Sequence, residues 1–193
     1  MLTPHLNRLA DGELAYEGVR LADIANRYGT PTYVYSRATI VENFRAYQSA
    51  FVASKPLICY AVKANSTLSV LALLAAEGAG FDIVSGGELQ RVIAAGGNAS
   101  KVIFSGVAKR SDEIALALSH NIHCFNVESE AELHRVNEIA IAAGKRARIT
   151  FRINPDVDAK THPYISTGLK KSKFGISAER ALEEFKLDRK SVV

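Results

Sequence analysis

Nowhere in the chain do about 18 apolar residues run together, and the first twenty residues contain no apolar core. A membrane-spanning helix and a secretory leader therefore find no support, and the protein is expected to be cytoplasmic, with no membrane partner. Cysteine occurs only twice, at Cys59 and Cys124, both inside strand-like apolar runs. Without metal-ligand spacing these thiols are expected to be buried small hydrophobes in a reducing compartment, and no metal is expected. Lysine and arginine form no dense block, so a net charge of +4 does not point to a nucleic-acid partner. No glycine-rich GxGxxG turn follows the first buried-strand pattern, which removes support for a dinucleotide fold.

What remains is an ordinary globular composition, 48% apolar and 23% charged, with a regular beat. Near the start, a helix pattern over 21–28 is stopped by Gly29, and Pro31 precedes a strand-like run at 32–35. Ser36 then caps a helix over 38–52 with Val41, Phe44, Tyr47 and Phe51 on one face. From residue 57 onward, apolar strands are expected at 57–62, 80–84, 102–105, 123–127 and 147–153. Helices are expected between them at 68–77, 88–95, 112–119 and 130–143. Such alternation implies a parallel sheet with right-handed crossovers. Ser85-Gly-Gly-Glu88 and Ser129-Glu-Ala-Glu132 both match the S-x-x-E capping box, while Gly78, Gly96 and Gly144 stand where helices should stop.

A complete barrel of this type takes about 250 residues. The expected fold is therefore α/β, a partial (β/α)8 TIM-type barrel truncated after about five βα units, the first half of a longer protein. Another helix is expected at 178–185. The last six residues, Asp188-Arg-Lys-Ser-Val-Val193, are what a common short-read sequencing adapter encodes in one frame before a stop codon. That tail, 188–193, is expected to be non-native.

Three charged residues interrupt the strand runs: Lys63, Asp82 and Arg152. Charges on a buried sheet are costly unless paired, and strand C-terminal ends carry the chemistry of parallel barrels. Lys63, at the end of Leu57-Ile-Cys-Tyr-Ala-Val62, is expected to be desolvated there, which lowers a lysine's pKa and makes it a Schiff-base nucleophile. Asp82 and Arg152 are expected either as its flanking anion and cation or as a structural ion pair with each other. Glu88 has a capping role open to it as well as a chemical one. Ser105, Asn126 and Glu128 give weaker signals at strand ends. The long stretch around His162 to Gly168, followed by Ser172-Lys-Phe-Gly175, has no clear periodicity and is expected to be a functional loop.

Tyr60-Ala-Val-Lys-Ala-Asn65, Gly80-Phe-Asp-Ile-Val-Ser-Gly-Gly-Glu-Leu89, Phe151-Arg-Ile-Asn-Pro155, His162-Pro-Tyr-Ile-Ser-Thr-Gly168 and Lys173-Phe-Gly-Ile176 together resemble the fold-type III pyridoxal-phosphate decarboxylases. The resemblance implies a barrel that binds pyridoxal 5'-phosphate and a second, β-rich domain. Residues 1–31 would contribute to that second domain, and 32–187 would form the first part of the barrel. It implies Lys63 as the lysine bonded to the cofactor, and Asp82, Glu88 and Arg152 on the cofactor side of the pocket. It further implies an amino-acid substrate, a homodimer when full length, and a fragment inactive alone. Within the family, Ser85-Gly-Gly-Glu-Leu89 and Ile165-Ser-Thr-Gly168 favour members acting on meso-2,6-diaminopimelate to give L-lysine. The alternatives are members acting on carboxynorspermidine, ornithine or arginine. A non-catalytic pyridoxal-phosphate carrier is a rival reading, opposed by the run at 32–35 and the His162 loop; a purely structural half-barrel is another.

Overall fold

The computed structural model describes residues 5–51, 53–157, 174–177, 180, 181 and 183. The chain divides into two compact units, Met1–Ile58 and Cys59–Val193.

In the first unit, β1 (Leu6–Arg8), β2 (Leu14–Tyr16) and β3 (Val19–Arg20) form an antiparallel meander. These strands of two or three residues are too short to leave a periodic signal. Helix α1 follows at Leu21–Tyr28 and α2 at Arg37–Ala50. Ser36 caps α2 as expected, its Oγ accepting from Thr39 N at 2.9 Å. Glu17 adds a second cap, accepting from Ala38 N at 2.9 Å and from the Ser36 hydroxyl. Of the expected apolar face, Val41 and Phe44 are buried, whereas Tyr47 and Phe51 are exposed and stack on each other. The strand expected at 32–35 does not form. Those residues have no ladder partner among the described residues, and Tyr33 and Tyr35 are exposed.

The second unit holds the expected alternation. Strands β4 (Cys59–Ala61), β5 (Gly80–Ile83), β6 (Val102–Phe104), β7 (Cys124–Val127) and β8 (Ile149–Phe151) form one parallel sheet in sequential order. Helices α3 (Leu68–Ala76), α4 (Gly86–Ala94), α5 (Ser111–Ser119) and α6 (Glu130–Ala142) lie between them in the chain. Sequential order with crossovers of one hand stacks the helices on one face and leaves the other face to curl inward, as in a barrel. The helix-side face is apolar: Phe81, Ile83, Val102, Phe104, Phe125 and Val127 are each at most 1% exposed. Burying a side chain of this size contributes roughly 1.5–3 kcal/mol. Gly78, Gly96 and Gly144 take positive φ just beyond α3, α4 and α6, as their positions predict.

The segment after β8 changes partner. Arg152 N donates to Val127 O at 2.9 Å, prolonging the ladder with β7, while its carbonyl accepts from Ile176 N at 2.8 Å. From there β9 (Ile153–Asn154) pairs in parallel with β10 (Ile176–Ser177), so the arc of strands continues beyond β8. At this junction Gly175 has φ 73°, and a Cβ there would sit 2.8 Å from Arg152 O, so only glycine fits. In the helix expected at 178–185, residues 180, 181 and 183 are helical and the others lie outside the described residues. The His162 to Gly168 loop and Lys173 lie outside them too. Among the described residues no helix is long and apolar enough to cross a membrane.

Candidate active site at the strand ends

Register sets which side chains share the inner face. Ala61, Asp82, Ile103 and Cys124 are lateral neighbours across β4 to β7, and Asn126 pairs with Thr150 across β7 and β8. Toward the C-terminal ends of β5 to β8 this face carries polar side chains. There Ser105 Oγ donates to Asp82, Asn126 Nδ2 donates to Ser105 Oγ at 2.9 Å, and Thr150 Oγ1 donates to Asn126. This ladder links four strands and holds the Asp82 carboxylate in one orientation.

Lys63 does not stand where a desolvated lysine was expected. Strand β4 ends at Ala61, and Val62–Ala64 curl into a single 3-10 turn. Val62 takes the buried position and Lys63 is left exposed. Among the described residues its Nζ has no hydrogen-bond or ion-pair partner, whereas Lys101, Lys109 and Lys145 all donate to acceptors. An unpartnered primary amine at a strand end is chemically suited to condense with an aldehyde. The sheet's other features fit a pyridoxal group in the same way: a fixed carboxylate at Asp82 and a cation at Arg152.

Arg152 pairs with Glu128 rather than with Asp82, correcting the expected ion pair. Its Nη1 donates to both Glu128 oxygens, at 3.1 and 3.2 Å, and its guanidinium lies 4.7 Å from the centroid of the Phe174 ring. Asp82 lies on β5, three strands away, and is already held by Ser105. The Glu128 side chain is 2% exposed and the Arg152 side chain 39%, so the pair presents its cationic end. Glu128 also accepts from Gly106 N at 3.0 Å and Gly175 N at 3.2 Å, satisfying a buried carboxylate that would otherwise be costly.

Both S-x-x-E sequences form caps of the same geometry. Ser85 Oγ accepts from Glu88 N, and Ser129 Oγ from Glu132 N, each at 3.2 Å. Each glutamate reaches back to the amide preceding the serine: Glu88 to Val84 N at 2.7 Å, Glu132 to Glu128 N at 3.0 Å. Glu88 is thus a capping residue. Its other oxygen has no partner among the described residues.

The sequence reading missed Lys109. Its side chain is fully buried, and Nζ donates to Gly106 O and Asn126 O, both at 2.7 Å, and to Glu132. Beside Arg110 at a helix start it reads as surface charge, and no local pattern marks it as buried.

The thiols divide. Cys124 is buried, but Cys59 is only half-buried, and desolvation with the nearby Asp82 charge pushes its thiol up to about 11. Burial also raises Cys124. Neither is an activated nucleophile. Among the described residues no cluster of His, Cys, Asp and Glu could hold a metal ion. A cavity of about 230 Å³ lined by Gly86, Gln90, Arg110 and Glu113 lies at the starts of α4 and α5, and none of Lys63, Asp82 or Arg152 lines it.

Residues 37–191 match the profile of a family described as pyridoxal-dependent decarboxylase, pyridoxal binding domain. The chain is 58% identical over 183 residues to the diaminopimelate decarboxylase of Vibrio cholerae, covering 95% of this chain and 44% of that protein. It is 58% identical over 171 residues to the enzyme of the same name from Pseudomonas aeruginosa, covering 89% and 41%. The crystal structure of diaminopimelate decarboxylase from Helicobacter pylori, complexed with L-lysine, superposes with a TM-score of 0.86 at 49% identity, covering 89% of this chain and 43% of that one. The chain thus spans less than half the length of these relatives.

Proposed function

The chain belongs to the pyridoxal-dependent decarboxylases, matching their pyridoxal-binding domain, and from that premise we propose that the complete gene product converts meso-2,6-diaminopimelate to L-lysine and CO2 with pyridoxal 5'-phosphate as cofactor. The observation that carries this reading is the Lys63 amine, without a partner among the described residues, at the end of β4 in a sheet that also fixes the Asp82 carboxylate and, beyond β8, the Arg152 guanidinium, all within the matched region. The choice of substrate is supported by identities of 58% to relatives named for it.

Pyridoxal phosphate, when bound, supplies an electron sink for the carbanion left by loss of CO2. In this reading Lys63 is the residue that would hold the cofactor covalently, through Nζ. Asp82, oriented by Ser105, places a negative charge on the inner face, on the cofactor side of the pocket. Arg152, fixed by Glu128 and Phe174, directs a cation toward a bound anionic group. The second oxygen of Glu88, without a partner among the described residues, is placed in this reading to hold a donor from cofactor or substrate while the first keeps the cap. Residues 1–31 belong, in this reading, with a second β-rich domain, and the full-length protein acts as a cytoplasmic homodimer.

Borohydride reduction of the complete gene product incubated with pyridoxal phosphate tests the site. A stable adduct on the Lys63 peptide, together with CO2 release from meso-diaminopimelate but not from ornithine or arginine, is the expected result. No adduct at Lys63 overturns the site; an adduct without CO2 release from any diamino acid leaves a pyridoxal binder and overturns the activity.

A further inference from the structure

Lys109 is fully buried and does not itself reach the site's surface, yet two of its three hydrogen-bond acceptors, Gly106 and Glu132, lead to Glu128, the carboxylate that holds Arg152. The three protons of an ammonium group have three acceptors here: Gly106 O, Asn126 O and Glu132. Gly106 is held at both ends, its carbonyl by Lys109 and its N–H by Glu128 Oε1 at 3.0 Å. Asn126, whose carbonyl takes the second proton, belongs to the polar ladder that orients Asp82. Glu132, taking the third, spends its other oxygen on Glu128 N at 3.0 Å. Glu128 in turn holds the Arg152 guanidinium through both oxygens. With the two glutamates meeting through the Glu128 N–H, two cations and two carboxylates, in contact order Lys109, Glu132, Glu128 and Arg152, sum to zero. Only the last of them is substantially exposed.

The equivalent loop after β5 has the same cap but no buried lysine behind Glu88. The cap geometry therefore does not need Lys109. What differs is that the residue preceding the cap serine is Val84 in one loop and the arginine-binding Glu128 in the other.

Resting on the functional reading above for its consequence but not for its geometry, we propose that Lys109 is a positioning residue for Arg152, acting through Glu132, Glu128 and the Gly106 peptide. Removing its charge frees Glu132 from its outer partner and Gly106 from one of its two anchors. Glu128 then loses its fixed orientation, and the guanidinium it carries moves with it.

The test uses the complete gene product, first without ligand. An arginine-specific dicarbonyl reagent reacts with Arg152 in competition with its carboxylate partner, and peptide mass spectrometry reads the rate. Lys109→Met should raise the Arg152 rate several-fold and leave the exposed Arg110 rate unchanged, while Lys109→Arg should restore most of the protection. An unchanged Arg152 rate in a folded Lys109→Met protein overturns the proposal. Should Lys109→Met fail to fold, Glu132→Gln breaks the same link without stranding a carboxylate and must give the same rise.

The second readout is the dissociation constant of pyridoxal phosphate in a double-mutant cycle with Arg152→Met. If Lys109 acts through Arg152, each single variant weakens binding about tenfold and the pair no more than Arg152→Met alone. Losses that multiply overturn the proposal. Failure of the wild-type protein to take up the cofactor overturns the functional reading, and the reagent rates still decide the positioning.

Discussion

The loops after β5 and β7 are built on one plan and put to two uses. Each begins at a strand end, turns through a serine that caps the next helix, and sends the glutamate three residues on back to the first amide past the strand. In the β5 loop the glutamate's second oxygen has no partner among the described residues. In the β7 loop it is taken by a buried lysine, and the residue before the serine is itself a buried, arginine-holding glutamate. One capping motif therefore leaves one carboxylate available and locks the other. Sequence similarity at the cap says nothing about which outcome occurs; the packing behind it decides.

The contrast breaks most sharply at Glu132. Glu132→Ala leaves Lys109 charged and buried without its carboxylate, a change of about 3–5 kcal/mol, read as a fall in the denaturant midpoint. Pairing it with Lys109→Met should recover a large part of that loss. A double variant no more stable than Glu132→Ala would show that the pair is not the source of the cost. The serines come next and should not differ: Ser85→Ala and Ser129→Ala each lose about 1 kcal/mol. A much larger loss at Ser129 would mean that the two caps are not the same device.

Glu88→Gln should change stability by less than about 0.5 kcal/mol, since an amide oxygen still accepts from Val84 N. On the functional reading it should nevertheless weaken pyridoxal phosphate binding several-fold, and unchanged binding would remove Glu88 from the site. The smallest effect belongs to a third glutamate cap, Glu17. The Ser36 hydroxyl, and then the Ala38 amide, hold its carboxyl below the usual glutamate range. Its contribution is thus complete above the unfolded value of about 4.3 and is lost as pH falls through the lowered folded value. The Ala38 amide resonance should report this by shifting only below the ordinary glutamate range.

Much of the second unit could be read from the chain because the signals are local. Apolar runs followed by capped helices place β4 to β8 and α3 to α6 within a residue or two of where they lie, and both S-x-x-E boxes form. The pairing of the charges could not be read this way. Arg152 meets Glu128 and not Asp82 because lateral register, fixed only when strands assemble, decides which side chains share a row. Lys63 misled for a related reason: the apolar run continues through Val62, but the sheet ladder stops at Ala61. Lys109 gave no signal, since its burial comes from Glu132 in a helix more than twenty residues away.

The sequential strand order also sets a schedule. Each strand finds its neighbour in the segment made just before it, so the sheet can grow one strand at a time as the chain leaves the ribosome, with short loops to close at every step. The bonds to Glu128 do not share that pace. Its contact with Arg152 spans 24 residues, but its contact with Gly175 spans 47. The carboxylate that holds the arginine is therefore complete only after the segment following β9 has come back to meet it. The scaffold is assembled early, and the arginine's setting is sealed last.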